Sequence, residues 1–535
     1  MKLKRLGFLF ASCALATSAA TAQVGPDIAV SQIGTGGDWA EYGNDGTFAA
    51  YGMATTSCNV GNQVVDWFDH IGRAPLIAQN MYRITDGRIE QLGYAFLKLS
   101  FCAVSEPSCG SCQATGCNTL GVGCADTYGS GLNDGAFGGA GKWIWNPTVP
   151  QIWPNNPPLS AGSLPTRGRL VVRMDEMAQA GSIYVAESQY LSRHDQENGL
   201  GRNNASWRFV NVPNLNNVNN GGPMNVGDPG IFAWQDHDPN VTIREVLYNN
   251  EGGAGVHGHM FLGYNVTDLG GGQWRYEYAL HNLDSDAAIG SFQIPLGCEG
   301  TEPVITDVYF RGVRHHSGDP RSDAAWNSTV DATSIRWEAP EDFDTNPQGS
   351  AIWWGEMFNF GFTADMPPAM AQASMGTFKN VPVAQHFATI EGPCGSPICG
   401  VESFCSTAPN SFSAGATISA TGDASIAANN IKLTVNDAVP GSFGLFFYGP
   451  TQIQTAFGDG FRCAGGMTSR IPGNLQANSA GAVTRSLDLN APPANMGTGL
   501  IEIGSTANFQ FWFRDVPAGG AGFNLTDGVS VTFCP

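Results

Sequence analysis

The clearest signal along this chain is alternation. In Asn508-Phe509-Gln510-Phe511-Trp512-Phe513-Arg514, the three phenylalanines fall on one side of an extended strand, and Gln510, Trp512 and Arg514 fall on the other. Trp274-Arg275-Tyr276-Glu277-Tyr278-Ala279-Leu280 alternates the same way, as does Ile431-Lys432-Leu433-Thr434-Val435. No stretch longer than about 12 residues keeps the 3.6 period of a helix. Gly, Asn, Asp, Ser and Thr crowd between the apolar runs and mark the ends of short strands. Tyr264-Asn265-Val266 and Trp274-Arg275-Tyr276 flank Gly270-Gly271-Gly272, which predicts a hairpin. The pattern predicts an all-β protein of two or three β-sandwich units, Ig-like or jelly-roll-like, with disulfide-stapled loops.

The organisation follows from shifts in composition. Lys2, Lys4 and Arg5 precede the short apolar run Leu6 to Ala16, and Ala20-Thr21-Ala22 has the form of a cleavage site, so 1–22 reads as a secretory signal. That run is shorter than the roughly 20 residues that span a bilayer, and no later stretch reaches this length. The expected location is outside the cytoplasm: secreted, at the cell surface, or in a periplasm. The chain of 535 residues suggests roughly two to four domains. A cysteine-containing β-rich domain is expected over 23–230, an Ig-like sandwich over 231–395, and a C-terminal sandwich module over 396–535. The Asn- and Gly-rich stretch 211–230, with Pro213, Pro223 and Pro229, reads as a loop or linker.

Charge narrows the partners. A net charge of −20 disfavours nucleic acid and anionic membrane surfaces. It leaves extracellular polysaccharide and cell-surface components as candidate partners. Thirteen cysteines include Cys13 in the signal, so an even number remains, as expected of a disulfide framework in an oxidising compartment. Most lie in two clusters, 102–124 and 394–405. Spacing alone leaves the connectivity open, with Cys463 a candidate partner of Cys534. Cys109, Cys112, Cys117 and Cys124 are too loosely spaced for a zinc site to be preferred over disulfides.

The sharpest candidates for ligand chemistry are histidines. His257 and His259 are two residues apart, as for side chains on one face of a strand. If the hairpin turns through Gly270–Gly272, position 259 falls opposite roughly 283, and His281 sits diagonally on the same face. Three imidazoles there could hold copper or zinc, with His237 or His316 nearby. Against this stands a solvated glycine-rich loop over 251–259. Asp236-His237-Asp238 and His315-His316-Ser317-Gly318-Asp319 mix imidazole with carboxylate, and turn chemistry explains both equally well. Glu341, Asp342, Asp344 and Asn346 offer oxygen ligands for calcium, without the spacing of an EF-hand loop. The chain has no Gly-x-Ser-x-Gly, no His-Glu-x-x-His, no phosphate-binding Gly-x4-Gly-Lys-[Ser/Thr] and no Cys-x-x-Cys-His. Thirteen tryptophans, among them Trp143, Trp145 and Trp153, could stack on sugars or fill cores.

Several segments carry a resemblance. Gly121-Val122-Gly123-Cys124-Ala125-Asp126, Asn203-Asn204-Ala205-Ser206 and Tyr278-Ala279-Leu280-His281-Asn282-Leu283 resemble a family of secreted, disulfide-containing β-rich proteins of environmental bacteria. So do Phe310-Arg311-Gly312-Val313 and His316-Ser317-Gly318-Asp319. Gly444-Leu445-Phe446-Phe447-Tyr448-Gly449 and Phe509 to Arg514 resemble an appended C-terminal β-module of such proteins. Tyr276-x-Tyr278, Phe292-x-Ile294, Trp337 and then Phe358, Phe360 and Phe362 are similar to strands of a generic sandwich. The resemblance implies a fold and a compartment and no activity. The leading expectation is therefore a secreted structural or binding protein. The alternatives are a metal-dependent enzyme built on the histidines, and a carbohydrate-binding or polysaccharide-active protein.

Overall fold

The computed structural model describes residues 24–533 apart from 135–140, 149–164, 297–301, 394–399, 423, 425, 427, 503 and 504. The signal segment, Cys298, Cys394, Cys399, Cys534 and Trp153 lie outside the described residues. The fold is all-β, with two short α-helices, Arg193–Gln196 and Phe232–His237, among the described residues.

Most of the strands from Ile28 to Pro393 stack as four β layers. Two three-stranded sheets form the outermost layer, one ordered Ile28–Ile33, Thr55–Asn59, Ala125–Tyr128 and the other Leu170–Arg173, Phe48–Met53, Trp39–Asn44. The second layer runs Asn217–Val226, Ala205–Asn214, Ile183–Leu191, Leu76–Thr85, Arg88–Tyr94. The third runs Thr242–Tyr248, Gly258–Gly270, Gln273–Asn282, Glu356–Ala364, Ile305–Arg311. The fourth runs Asn327–Val330, Ser334–Glu338, Ile289–Pro295, Pro368–Thr377, Gln385–Pro393. Neighbouring strands pair antiparallel.

Alternation explains the layering. Ile77 and Met81 face the outermost layer, and their neighbours Tyr82 and Ile84 face the third. Tyr276, Tyr278 and Leu280 join Phe292, Ile294, Trp337, Phe358, Phe360 and Phe362 in the core between layers three and four. This is the sandwich expected from the sequence. Ala279, Phe261 and Met357, on the reverse face, pack against Tyr82, Val185 and Trp207 of the second layer. The N-terminal and middle units thus share an apolar core across position 230.

Two expectations fare differently. The hairpin between Gly258–Gly270 and Gln273–Asn282 turns on Gly271 and Gly272, both at positive φ (64° and 81°). That geometry suits the two-residue turns that follow strand twist. The linker expected over 211–230 is instead mostly strand: Ala205–Asn214 pairs with Asn217–Val226. Asn217–Val226 is an edge strand, where polar side chains face water and Pro223 is tolerated. Backbone pairing, which needs no apolar side chain, overrode the composition.

The last unit is a separate sandwich. Gly400–Phe404, Gly528–Thr532, Thr506–Arg514, Phe443–Gly449 and Ser469–Arg470 form one sheet, with Leu475–Gln476 and Phe523–Leu525 joining it. Thr417–Thr421, Lys432–Asn436 and Val483–Ser486 form the facing sheet. Phe509, Phe511 and Phe513 fill the core with Ile431, Leu433 and Val435, as their alternation predicted. The hairpin of Thr451–Phe457 and Gly460–Gly465 lies on the outer face of the larger sheet, where Gln510 accepts from the backbone N–H of Cys463 (2.8 Å).

Disulfides join Cys58 to Cys109, Cys102 to Cys117, Cys112 to Cys124 and Cys405 to Cys463. The first three occupy every thiol of the candidate zinc set. The fourth corrects the pairing of Cys463 with Cys534: Cys405 and Cys463 meet beside Phe404 and Phe461, under the hairpin. A non-reducing peptide map is expected to show the Cys405–Cys463 pair. A Cys405→Ser/Cys463→Ser double variant should lose about 2–4 kcal/mol of stability, read as a lower urea midpoint; an unchanged midpoint would contradict this.

Candidate functional site

The chemistry-bearing side chains collect in a buried polar seam between the second and third layers. On strand Leu76–Thr85, Asn80 and Tyr82 face the third layer; directly opposite Asn80 in register stands Glu187. The Glu187 carboxylate accepts from Asn80 Nδ2 (2.6 Å), the Tyr82 hydroxyl (3.0 Å) and the Gly230 backbone N–H (2.5 Å). Gln91 crosses the gap: its Nε2 donates to the Gly355 carbonyl (3.2 Å) and its Oε1 accepts from the Met357 N–H (2.7 Å). Lys142, in the turn Lys142–Ile144, enters the same seam and is wholly buried. Its amine lies 3.4 Å from both Asn80 Oδ1 and the Gly355 carbonyl. Burial lowers its pKa to about 8, against the pull of Glu356. Gly355 has φ 71°, a conformation that favours glycine, and a Cβ there would lie 2.6 Å from the amine and push it aside.

The hairpin register brings His259 and His281 to the seam face as expected, because Leu283 N–H bonds to the His259 carbonyl and Phe261 pairs with His281. Their rings have different fates. His259 Nδ1 meets both Asp284 oxygens (3.0 and 3.1 Å). Burial works against its charge, but Asp284 outweighs that and raises its pKa. His281 lies between Tyr82 and Phe261, with neither ring nitrogen hydrogen-bonded, and burial lowers its pKa.

His257 precedes the strand. Its Nδ1 accepts from the Asn250 N–H (3.1 Å), and its Nε2 bonds with Ser406 Oγ (2.7 Å) and lies 3.0 Å from Gln454 Nε2. This bond ties the middle unit to the C-terminal one. Burial, then His259, lowers the pKa of His257 to about 4.

His316 belongs to a second buried cluster. Its Nε2 donates to the Tyr94 carbonyl (2.9 Å) and its Nδ1 accepts from Ser317 (2.8 Å). Burial lowers its pKa to about 4. Asp319 accepts from the Tyr94 hydroxyl (2.8 Å) and pairs with buried Arg321 (2.6 Å), which also pairs with Glu356 (3.2 Å). His237 lies apart from both clusters. It is exposed, on a cleft of about 250 Å³ with Trp234 and Asp238.

The five histidines therefore do not assemble. Among the described residues, no group of three or more His, Cys, Asp or Glu side chains is arranged to hold a metal ion. That includes the calcium candidates: Asp342 caps the Thr345 N–H (2.7 Å), Asp344 takes Asn380 Nδ2 (2.6 Å), and Asn346 donates to Glu341 (2.5 Å), all in an exposed turn. None of the described tryptophans is exposed, and Trp145 is buried, so most serve the cores. Lys142, Asn80, Glu187, Gln91 and Glu356 escaped the sequence reading. Their one signal was a polar residue breaking a buried apolar run, as in Leu76-Ile77-Ala78-Gln79-Asn80-Met81.

A different kind of surface sits on the C-terminal sandwich. Register places Gln476 beside Phe443, and Arg514 beside Phe523; Phe443 and Arg514 end paired strands at the same level. Directly paired residues share a face, so Gln476, Phe443, Arg514 and Phe523 form one row on the outer side. Phe443 and Phe457 are exposed, at 54% and 47%. Phe457 and Trp512 both pack on Phe523, with ring centroids 5.3 and 5.5 Å away.

Neither models of known protein families nor curated proteins match this chain. Among the described residues, no helix is long and apolar enough to cross a membrane.

The His257 tie has a definite pH signature. Its folded pKa is depressed, so the bond is fully present above about 6.5 and weakens as pH falls toward about 4. The cost is about 1.4 kcal/mol for each pH unit in that window. Hydrogen exchange at Ser406, corrected for its intrinsic pH dependence, is expected to lose protection over that range. A His257→Phe variant should be less protected at neutral pH and lack the extra acid response.

Proposed function

We propose that this chain is exported and acts outside the cytoplasm as a non-catalytic binding component, which holds neutral polysaccharide on the outer face of its C-terminal sandwich. The supporting observation is the row Gln476, Phe443, Arg514 and Phe523, flanked by Phe457 and Trp512. Flat aromatic rings accept the apolar C–H face of a sugar, and the amide and guanidinium between them suit its hydroxyls. An acidic chain of −20 selects against polyanionic partners. The four disulfides among the described residues and the signal-like first 22 residues support export. The four-layer body is the support that presents this face.

Affinity electrophoresis of the mature protein through gels containing neutral polysaccharides tests the reading. Retardation by at least one polysaccharide is expected. A Phe443→Ala/Phe523→Ala variant with an unchanged circular dichroism spectrum should bind about tenfold more weakly, since each aromatic contact is worth about 0.5–1.5 kcal/mol. No retardation in any gel, or equal retardation of the variant, would sink the idea.

A further inference from the structure

Lys142 is held in an unusual way. Its amine is fully buried, yet both its hydrogen-bond acceptors are neutral and both sit at the long distance of 3.4 Å. A buried ammonium without a contacting anion is costly, so burial enlarges the share of neutral amine. The lowering of its pKa to about 8 runs in the same direction. A neutral amine is a nucleophile, and the group beside it is a carboxamide, that of Asn80. The nitrogen of that carboxamide contacts Glu187 at 2.6 Å, and the same carboxylate oxygen takes the Tyr82 hydroxyl. Asn80 and Glu187 are themselves buried, at 1% and 0% exposure. Amine, carboxamide and carboxylate thus touch in succession, all three buried. Lys98, almost as deeply buried, has the Tyr128 ring against its amine at 3.0 Å instead of a carboxamide.

We propose that Lys142 and Asn80 join in an intramolecular amide bond, with Glu187 carrying the proton. The Nζ lone pair adds to Asn80 Cγ, and the carbonyl electrons move onto Oδ1. When the carbonyl re-forms, the Cγ–Nδ2 bond breaks. The Glu187 carboxylate takes a proton from Nζ as it adds and passes that proton to the departing Nδ2, ending as the carboxylate it began as. Ammonia leaves, a Cγ–Nζ amide remains, and no oxidant or reductant is involved. Fixed proximity replaces an external catalyst, and exclusion of water keeps hydrolysis from competing. The bond also removes the buried amine that made the site costly. It ties the turn at 142–144 to the second layer across 62 residues of chain. Unlike the disulfides, it survives reduction.

The test is a tryptic peptide map of the mature protein after reduction and alkylation. The expected result is a branched peptide joining the Asn80 and Lys142 segments, one ammonia lighter than their sum, with no cleavage after Lys142. Separate Asn80 and Lys142 peptides as the main species, cleaved after Lys142, overturn the proposal. Intact mass is insufficient, because an N-terminal Gln23 also loses ammonia on cyclising. A Glu187→Gln variant with a native circular dichroism spectrum should give no branched peptide; a full yield of branch there overturns the role of Glu187. The unmodified protein decides the bond itself, whether or not the variant folds.

Discussion

Two of the sheets in this protein are covered on both faces, and water reaches neither face of their central strands. That constraint governs the rest of the body. A polar group left unpaired in such a place costs about 1–3 kcal/mol, so most of those that the strands carry pair within their own sheet or with the facing layer. Glu187 collects Asn80, Tyr82 and the Gly230 N–H. Gln91 reaches from the second layer to the backbone of the third at Gly355 and Met357. Arg88 reaches Glu277 (2.9 Å), and Tyr309 reaches Glu90 (2.6 Å). Apolar contacts hold the layers together without direction, whereas the bonds of Gln91, Arg88 and Tyr309 cross between layers with defined geometry and set how one sheet sits on the next.

The same constraint explains why the histidines act as ties. A ring that enters a dry seam must bond through its nitrogens or remain neutral. His259 bonds to Asp284, and His257 and His316 bond through both nitrogens. His281 stays neutral between aromatic rings. Burial is the largest influence on all four, and only the Asp284 carboxylate reverses it, at His259. Lys142 faces the same choice without a contacting anion, which makes its surroundings favourable to covalent chemistry.

The C-terminal sandwich divides the same kinds of residue differently. Along Thr506–Arg514, Phe509, Phe511 and Phe513 disappear into the core, and their neighbours face outward. The hairpin covers Gln510, leaves Trp512 half-buried, and leaves Arg514 exposed. Phe443 and Phe457 remain exposed beside them. One strand therefore supplies both the core and part of the aromatic outer face, and the extent of the hairpin decides which residues do which.

Periodicity of two was enough to read the fold class, the sandwich core around Tyr276, Tyr278 and Trp337, the Gly271-Gly272 turn and the shared face of His259 and His281. Each of these depends on near neighbours in sequence. The Asn-rich edge strand over 217–226 was hidden, because its pairing comes from backbone groups and not from side-chain pattern. The partner of Cys463 was hidden, because it depends on which loop the hairpin covers. The seam was hidden for the same reason. Asn80, Lys142, Glu187 and Gly355 are scattered along the chain, and each alone looks like an ordinary strand or loop residue. Local alternation tells which way a side chain points, but only the stacking of whole sheets decides whether it meets water, an apolar wall or another polar group.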